Sequence, residues 1–141
     1  MDWTIEFDKA IEQYLPDLEV LQDEPMSRHT TFRIGGPAKR MAFPSSREQL
    51  VLLMSFAKDY GANPLVIGNG SNLLVPDEGL DRLVIGTSAN LNRVERGSEN
   101  TVLADAGATL ARTADLACKS GLTGLEFAHG IPGTVGGAVY M

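Results

Sequence analysis

The sequence predicts an α+β fold assembled from small α/β subdomains, and three observations carry that prediction. Residues 38–67 read as strand, helix, strand; residues 91–106 read as a hairpin around Gly97-Ser98-Glu99-Asn100; and an Ala- and Leu-rich helix follows from 110 to 120. With 141 residues, 43% of them apolar, the chain has material for one ordinary domain or two very small cores. Its 21% charged content, without low-complexity tracts, excludes disorder, collagen and coiled coil.

The elements follow in order. Trp3, Phe7, Ile11, Tyr14 and Leu15 recur at helical spacing until Pro16 ends the pattern, which predicts an N-terminal amphipathic helix. Pro16 to Ser27 mixes Pro, Asp and Glu with isolated Leu and Val and predicts an irregular crossover. Ala38 to Phe43 alternates as a strand, and Pro44 closes it. Ser45 and Glu48 then match a capping box, opening a helix whose apolar face is Leu50, Val51, Leu53, Met54, Ala57 and Tyr60, with Gly61 as its stop.

Leu65-Val66-Ile67 predicts a short buried strand, giving a βαβ-like unit suited to a parallel sheet. Leu83-Val84-Ile85 predicts another. Leu91–Arg96 and Thr101–Ala106 form the expected hairpin, and Thr109 caps the helix from Leu110 to Ser120, which Gly121 ends. After Gly130–Gly137 the apolar pattern is still building at Met141, so the chain is expected to stop inside an element.

Eighteen acidic against twelve basic residues give a formal charge of -6, which argues against nucleic acid as a partner. One cysteine, Cys118, excludes an internal disulfide, and with only two histidines no standard zinc spacing exists, so no metal site is expected. No basic leader or long apolar window occurs, and the expectation is a cytoplasmic protein without a membrane partner.

Two glycine-rich segments are the candidates for chemistry. Gly68-Asn69-Gly70-Ser71-Asn72-Leu73 follows a strand and offers glycines that accept positive φ, exposed N–H groups and short polar side chains, the makings of an anion-binding nest. It matches neither the Rossmann fingerprint nor the P-loop, and on its own it is equally a tight turn. Gly130-Ile131-Pro132-Gly133-Thr134-Val135-Gly136-Gly137 has four glycines in eight positions, a density suited to close backbone approach to a ligand, or to an irregular crossover. Neither loop contains Lys or Arg, so together they suggest a diphosphate held by N–H groups and dipoles.

Other polar residues have plainer readings. His29 and His129 read as loop hydrogen-bonders, Arg33 as a salt-bridged or solvent-facing strand residue, and Cys118 as a packed, inert thiol. Glu126, before the second loop, is the carboxylate expected to be partly buried, with a shifted pKa, bonding loop N–H groups.

Taken together, His29-Thr30-Thr31-Phe32-Arg33-Ile34-Gly35-Gly36-Pro37-Ala38, Gly68-Asn69-Gly70-Ser71-Asn72-Leu73-Leu74-Val75 and Gly124 through Met141 resemble the UDP-N-acetylenolpyruvoylglucosamine reductase (UDP-N-acetylmuramate dehydrogenase) family, in its order and spacing. The resemblance covers the chain from about residue 26 onward. It implies a flavin fold of the vanillyl-alcohol-oxidase (PCMH) type, in which two subdomains clamp FAD. The expected layout is an N-terminal helix and crossover over 1–27, a first FAD-binding subdomain over 28–87, and a second, incomplete one over 88–141.

By position, the resemblance implies that Gly68, Asn69, Gly70, Ser71 and Asn72 hold the diphosphate. Ile131, Gly133, Thr134, Val135, Gly137 and Ala138 would approach diphosphate, ribityl or flavin from the other side. It further implies NADPH as co-substrate, a UDP-sugar substrate, a monomer and a role in peptidoglycan precursor synthesis. The family's substrate domain, its proton-donating serine and its carboxylate-polarising arginine and glutamate match nothing in 1–141, so no catalytic residue is assigned and the chain is expected to be inactive alone. The competing readings are the FAD-binding domain of another oxidoreductase of this fold and a binding module that has lost its chemistry.

Overall fold

The computed structural model describes residues 2–141. Helix α1 (Thr4–Tyr14) precedes strand β1 (Glu19–Pro25), strand β2 (Pro37–Phe43) and helix α2 (Arg47–Asp59). Strands β3 (Leu65–Ile67) and β4 (Leu80–Gly86), the hairpin β5 (Val94–Arg96) and β6 (Val102–Ala104), helix α3 (Leu110–Lys119) and the short helix α4 (Val135–Tyr140) complete the chain.

The main sheet has the order β1-β2-β4-β3. Strands β2, β4 and β3 run parallel, with Met41 beside Val84 and Val66 beside Ile85, so the βαβ unit over 38–67 is real but β4 lies between its two strands. Strand β1 runs antiparallel to β2, from Glu19 beside Phe43 to Pro25 beside Pro37. This corrects the irregular crossover expected over 16–27. Its polar residues and Pro25 are those an edge strand tolerates, and Asp23, at φ +49°, further blurs the alternation.

Two apolar clusters flank the sheet. Ala42, Leu83 and Ile85 meet Phe7, Ile11, Leu53 and Ala57 of α1 and α2 on one face. Met41 and Val84 point the other way, joining Met26, Ala38, Ile67 and Val75. The two-residue period of a strand produces this split, and the register shift between Ala38 and Arg40 explains why Ala38 shares a face with Met41. On the α1 face, Arg40 is 8% exposed and binds Asp8 through two nitrogens, Nε at 2.9 Å from Oδ1 and Nη2 at 2.6 Å from Oδ2.

Three local expectations shift. The cap of α2 is Ser46, whose hydroxyl accepts the Gln49 N–H, while Gln49 Oε1 accepts the N–H of Ser45. The motif is therefore displaced by one residue from Ser45 and Glu48. Val51 and Met54 face solvent, and α2 buries Leu53 and Ala57. Strand β3 is an edge strand with Val66 exposed, where a buried strand was expected. Gly61 (φ +72°) and Gly121 (φ +70°) do end their helices as expected, each followed by a residue whose N–H returns to Ala57 or Ala117.

The hairpin forms around Gly97–Asn100 with shorter strands than the sequence pattern suggested, pairing Val94 with Ala104 and Arg96 with Val102. Thr109 caps α3 by accepting the Arg112 N–H. Cys118 on α3 is exposed, not packed. No described helix is long and apolar enough to cross a membrane.

Candidate functional site

Because β2, β3 and β4 are parallel, their C-terminal ends lie side by side, the position at which open α/β sheets present ligand sites. A cleft of about 510 Å3 opens there. Phe43, Ile67 and Gly86, the last residues of the three strands, form its base, and Asn69, Ser88, Arg28, Thr31 and Arg33 stand around it.

Loop 68–72 forms one wall. Its carbonyls are held from behind: Gly70 O accepts the Thr31 N–H at 3.1 Å and Gly68 O accepts the Ser88 hydroxyl at 3.3 Å. Its donors are not. No backbone carbonyl among the described residues accepts the N–H of Gly68, Asn69, Gly70, Ser71 or Asn72. Five successive N–H groups are thus left without a backbone acceptor on a partly buried loop, the arrangement in which backbone donors are available to a ligand.

Two glycines are there for lack of space. A Cβ on Gly68 would sit 2.8 Å from Thr134 Cγ2 and closer still to Thr134 Oγ1. A Cβ on Gly70, at φ +62°, would meet the His29 carbonyl and lie 3.0 Å from Thr30 Cα. The close approach of Gly68 to Thr134 joins the two glycine-rich segments, as does Gly133, whose Cβ direction points at Ser71 Oγ 3.2 Å away. The structure thus brings together Gly68, Gly70, Ser71, Gly133 and Thr134.

The second segment has a different character. Thr134, 3% exposed, caps α4 by accepting the Gly137 N–H at 3.2 Å. The N–H of Val135 goes to Ala108 O, that of Ala138 to Thr134 O, and that of Ile131 to Ala128 O. The amides of Ile131, Val135, Gly136, Gly137 and Ala138 are therefore occupied within the protein, while those of Gly133 and Thr134 have no acceptor among the described residues. Ile131 and Ala138 are exposed, and Asn72 reaches toward Met141, with Nδ2 3.7 Å from its Sδ. The expected glycine loop also turns into helix α4, whose start is fixed by the Thr134 cap.

Positive charge at this site comes from outside the loops. Arg33 sits in a turn at φ +57°, contrary to the expected strand; of the two settings expected for its side chain it takes the solvent-facing one, exposed and without a salt bridge among the described residues, at the edge of the cleft. His29 Nε2 lies 2.9 Å from Glu24 Oε1, the hydrogen-bonding role expected of it. Glu126 is exposed rather than partly buried; its own N–H and that of Gly124, at 2.8 Å, hold its pKa below the usual carboxylate value. Among the described residues no cluster of three or more His, Cys, Asp or Glu could hold a metal. Phe43, Ser88 and Arg28 were missed in the sequence because only the sheet order brings strand ends and the 28–33 segment to one cleft.

The FAD binding domain family matches residues 38–141. The chain is 46% identical over 132 residues to the UDP-N-acetylenolpyruvoylglucosamine reductase of Caldicellulosiruptor bescii, which covers 92% of the chain and 41% of the relative. It is 51% identical over 124 residues to the like-named protein of Moorella thermoacetica, covering 88% and 40%. A crystal structure of UDP-N-acetylenolpyruvylglucosamine reductase from Thermus caldophilus superposes with a TM-score of 0.60 at 34% identity, covering 86% of this chain and 41% of that one. The chain spans about two fifths of the length of the curated relatives it matches.

Proposed function

The chain belongs to the FAD binding domain family, and on that premise we propose that it is the FAD-binding part of a reductase converting UDP-N-acetylglucosamine enolpyruvate to UDP-N-acetylmuramate with NADPH. Its fold is the α+β flavin fold of the vanillyl-alcohol-oxidase type. The activity is that carried in the names of relatives 46% and 51% identical to it. On this reading the protein acts in peptidoglycan precursor synthesis, in the cytoplasm, as a monomer with a UDP-sugar substrate.

The observation that carries the reading is the row of free N–H groups from Gly68 to Asn72 beside a cleft bearing Arg28 and Arg33. That is a site for a diphosphate with a bulky group attached. Gly68, Asn69, Gly70, Ser71 and Asn72 hold the diphosphate, with the side chains of Ser71 and Asn72 as added donors. Ile131, Gly133, Thr134, Val135, Gly137 and Ala138 lie along the cofactor from the opposite side. Thr134 fixes the distance between the two walls through its contact with Gly68. The first subdomain spans 28–87, with α1 and β1 attached to its sheet, and the second spans 88–141.

When bound, FAD supplies the hydride chemistry. This chain's residues bind the diphosphate and set the position of the ring, and no proton-donor role is assigned to any of them. Fluorescence titration with FAD and with riboflavin tests the reading. FAD is expected to bind and riboflavin, which lacks the diphosphate, to bind far more weakly. Equal affinity for the two would contradict it.

A further inference from the structure

Free donors on loop 68–72 mean that the loop cannot hold its own shape through those N–H groups, so its geometry depends on what stands behind it. Part of that support is the segment 29–31. Thr31 donates to Gly70 O at 3.1 Å, and the His29 carbonyl occupies the space where a Gly70 Cβ would lie. This segment belongs to no helix or strand, yet it is anchored. Met26 and Ser27 donate to Gly36 and Gly35 at 3.0 and 3.2 Å, and Thr30 Oγ1 donates to Ile34 O at 3.2 Å. The backbone bonds from His29 to Met26 O at 2.9 Å and from Arg33 to Thr30 O at 3.2 Å add to this, and a side-chain anchor is the imidazole of His29, a residue that also borders the cleft. Its Nε2 donates to Glu24 Oε1 at 2.9 Å, and its ring centroid lies 5.8 Å from that of Phe43.

Glu24 stands on β1, and its side chain is only 12% exposed. A carboxylate so far from water needs a partner. His29 supplies it at close range, while Arg28 Nη1 is 3.8 Å away on a side chain 70% exposed. The pair thus ties the main sheet, through β1 and Phe43, to the backbone directly beneath Gly70.

We propose that Glu24 and His29 are positioning residues for the diphosphate loop, setting the affinity for FAD through the placement of 29–31 against Gly70; the proposal rests on the FAD reading of the site. In FAD titrations of the 141-residue chain, His29→Leu is expected to weaken binding about tenfold, the loss expected when one charge-assisted hydrogen bond is removed. His29→Gln, which can restore a donor, recovers most of that loss, and Glu24→Ala in the His29→Leu background adds little. Ser46→Ala, which destabilises α2 away from the loop, leaves the affinity unchanged. Wild-type affinity in His29→Leu, or an equal loss in Ser46→Ala, would overturn the proposal. Amide exchange at Thr31 gives a readout that needs no flavin: it is expected to quicken in His29→Leu and return toward wild type in His29→Gln. A chain that takes up no FAD contradicts the FAD reading, and equal Thr31 exchange in the two variants overturns the positioning role whether or not FAD binds.

Discussion

Gly68→Ala isolates the contact on which the two-walled site depends. Gly68 needs no positive φ, so the substitution acts through volume alone. The new methyl would lie 2.8 Å from Thr134 Cγ2, 3.0 Å from Thr134 Cβ and nearer still to Oγ1. Thr134 cannot swing aside freely, because it is 3% exposed and its hydroxyl caps α4 through the Gly137 N–H. Overpacking of this kind costs about 1–3 kcal/mol, and losing the cap about 1 kcal/mol. We therefore expect Gly68→Ala to lower stability by about 2 kcal/mol in urea unfolding and to weaken FAD binding, as the walls move apart. Thr134→Ala removes the two nearest of these atoms and leaves only Cβ, so the double variant should be more stable than the sum of the single losses by about 1 kcal/mol. Additive losses, or a Gly68→Ala chain with wild-type stability and affinity, would refute the contact.

Other expectations follow from the packing. Asp8→Ala strands the guanidinium of Arg40 and should cost about 2 kcal/mol, below the full cost of a broken buried pair because Asp8 is 37% exposed; Arg40→Met should cost less, and urea midpoints compare the two. Ser46→Ala should lose about 1 kcal/mol of thermal stability and Ser45→Ala clearly less, which checks the displaced cap. Hydrogen bonds from the Thr4 N–H and hydroxyl, helped by Lys39, bring the Asp2 pKa from 3.8 to about 2. Asp81 is lowered as well, by Lys39 and then Trp3. Both folded pKa values lie below the unfolded ones, so this stability is complete above about pH 4 and lost as pH falls toward about 2. Urea midpoints across that window should fall less steeply in Asp2→Asn.

Much of this fold is written in local pattern, and what is not has identifiable causes. The stops at Gly61 and Gly121 and the Thr109 cap were legible because each depends on residues within a turn of one another. Strand β1 was hidden because an edge strand can carry Gln22, Asp23, Glu24 and Pro25, which read as loop. Ser45-x-x-Glu48 and Ser46-x-x-Gln49 both fit the cap pattern, and in the structure the second forms: Ser46 accepts the Gln49 N–H and Gln49 accepts the Ser45 N–H. Helix α4 contains Gly136 and Gly137, poor helix formers, and Thr134 starts it nonetheless.

The candidate site divides the same way. Glycine density drew attention to both loops, but that Gly68 touches Thr134 and Gly70 touches His29 follows from tertiary packing. For Arg33 only the strand was wrong: the segment is a turn, and its side chain is solvent-facing, one of the two settings expected, at the edge of the cleft. Glu126 was expected to be partly buried and is exposed, its pKa lowered by the loop N–H bonding that the sequence reading did anticipate.

The most direct measurement is the visible absorbance spectrum of the purified chain after FAD is added and the excess removed by gel filtration. Retained flavin bands in the wild type, absent in Gly70→Val and Gly133→Val variants that still fold, are the predicted result. A folded wild-type chain that elutes colourless, or variants that retain the flavin equally well, would contradict the claim that these loops hold it.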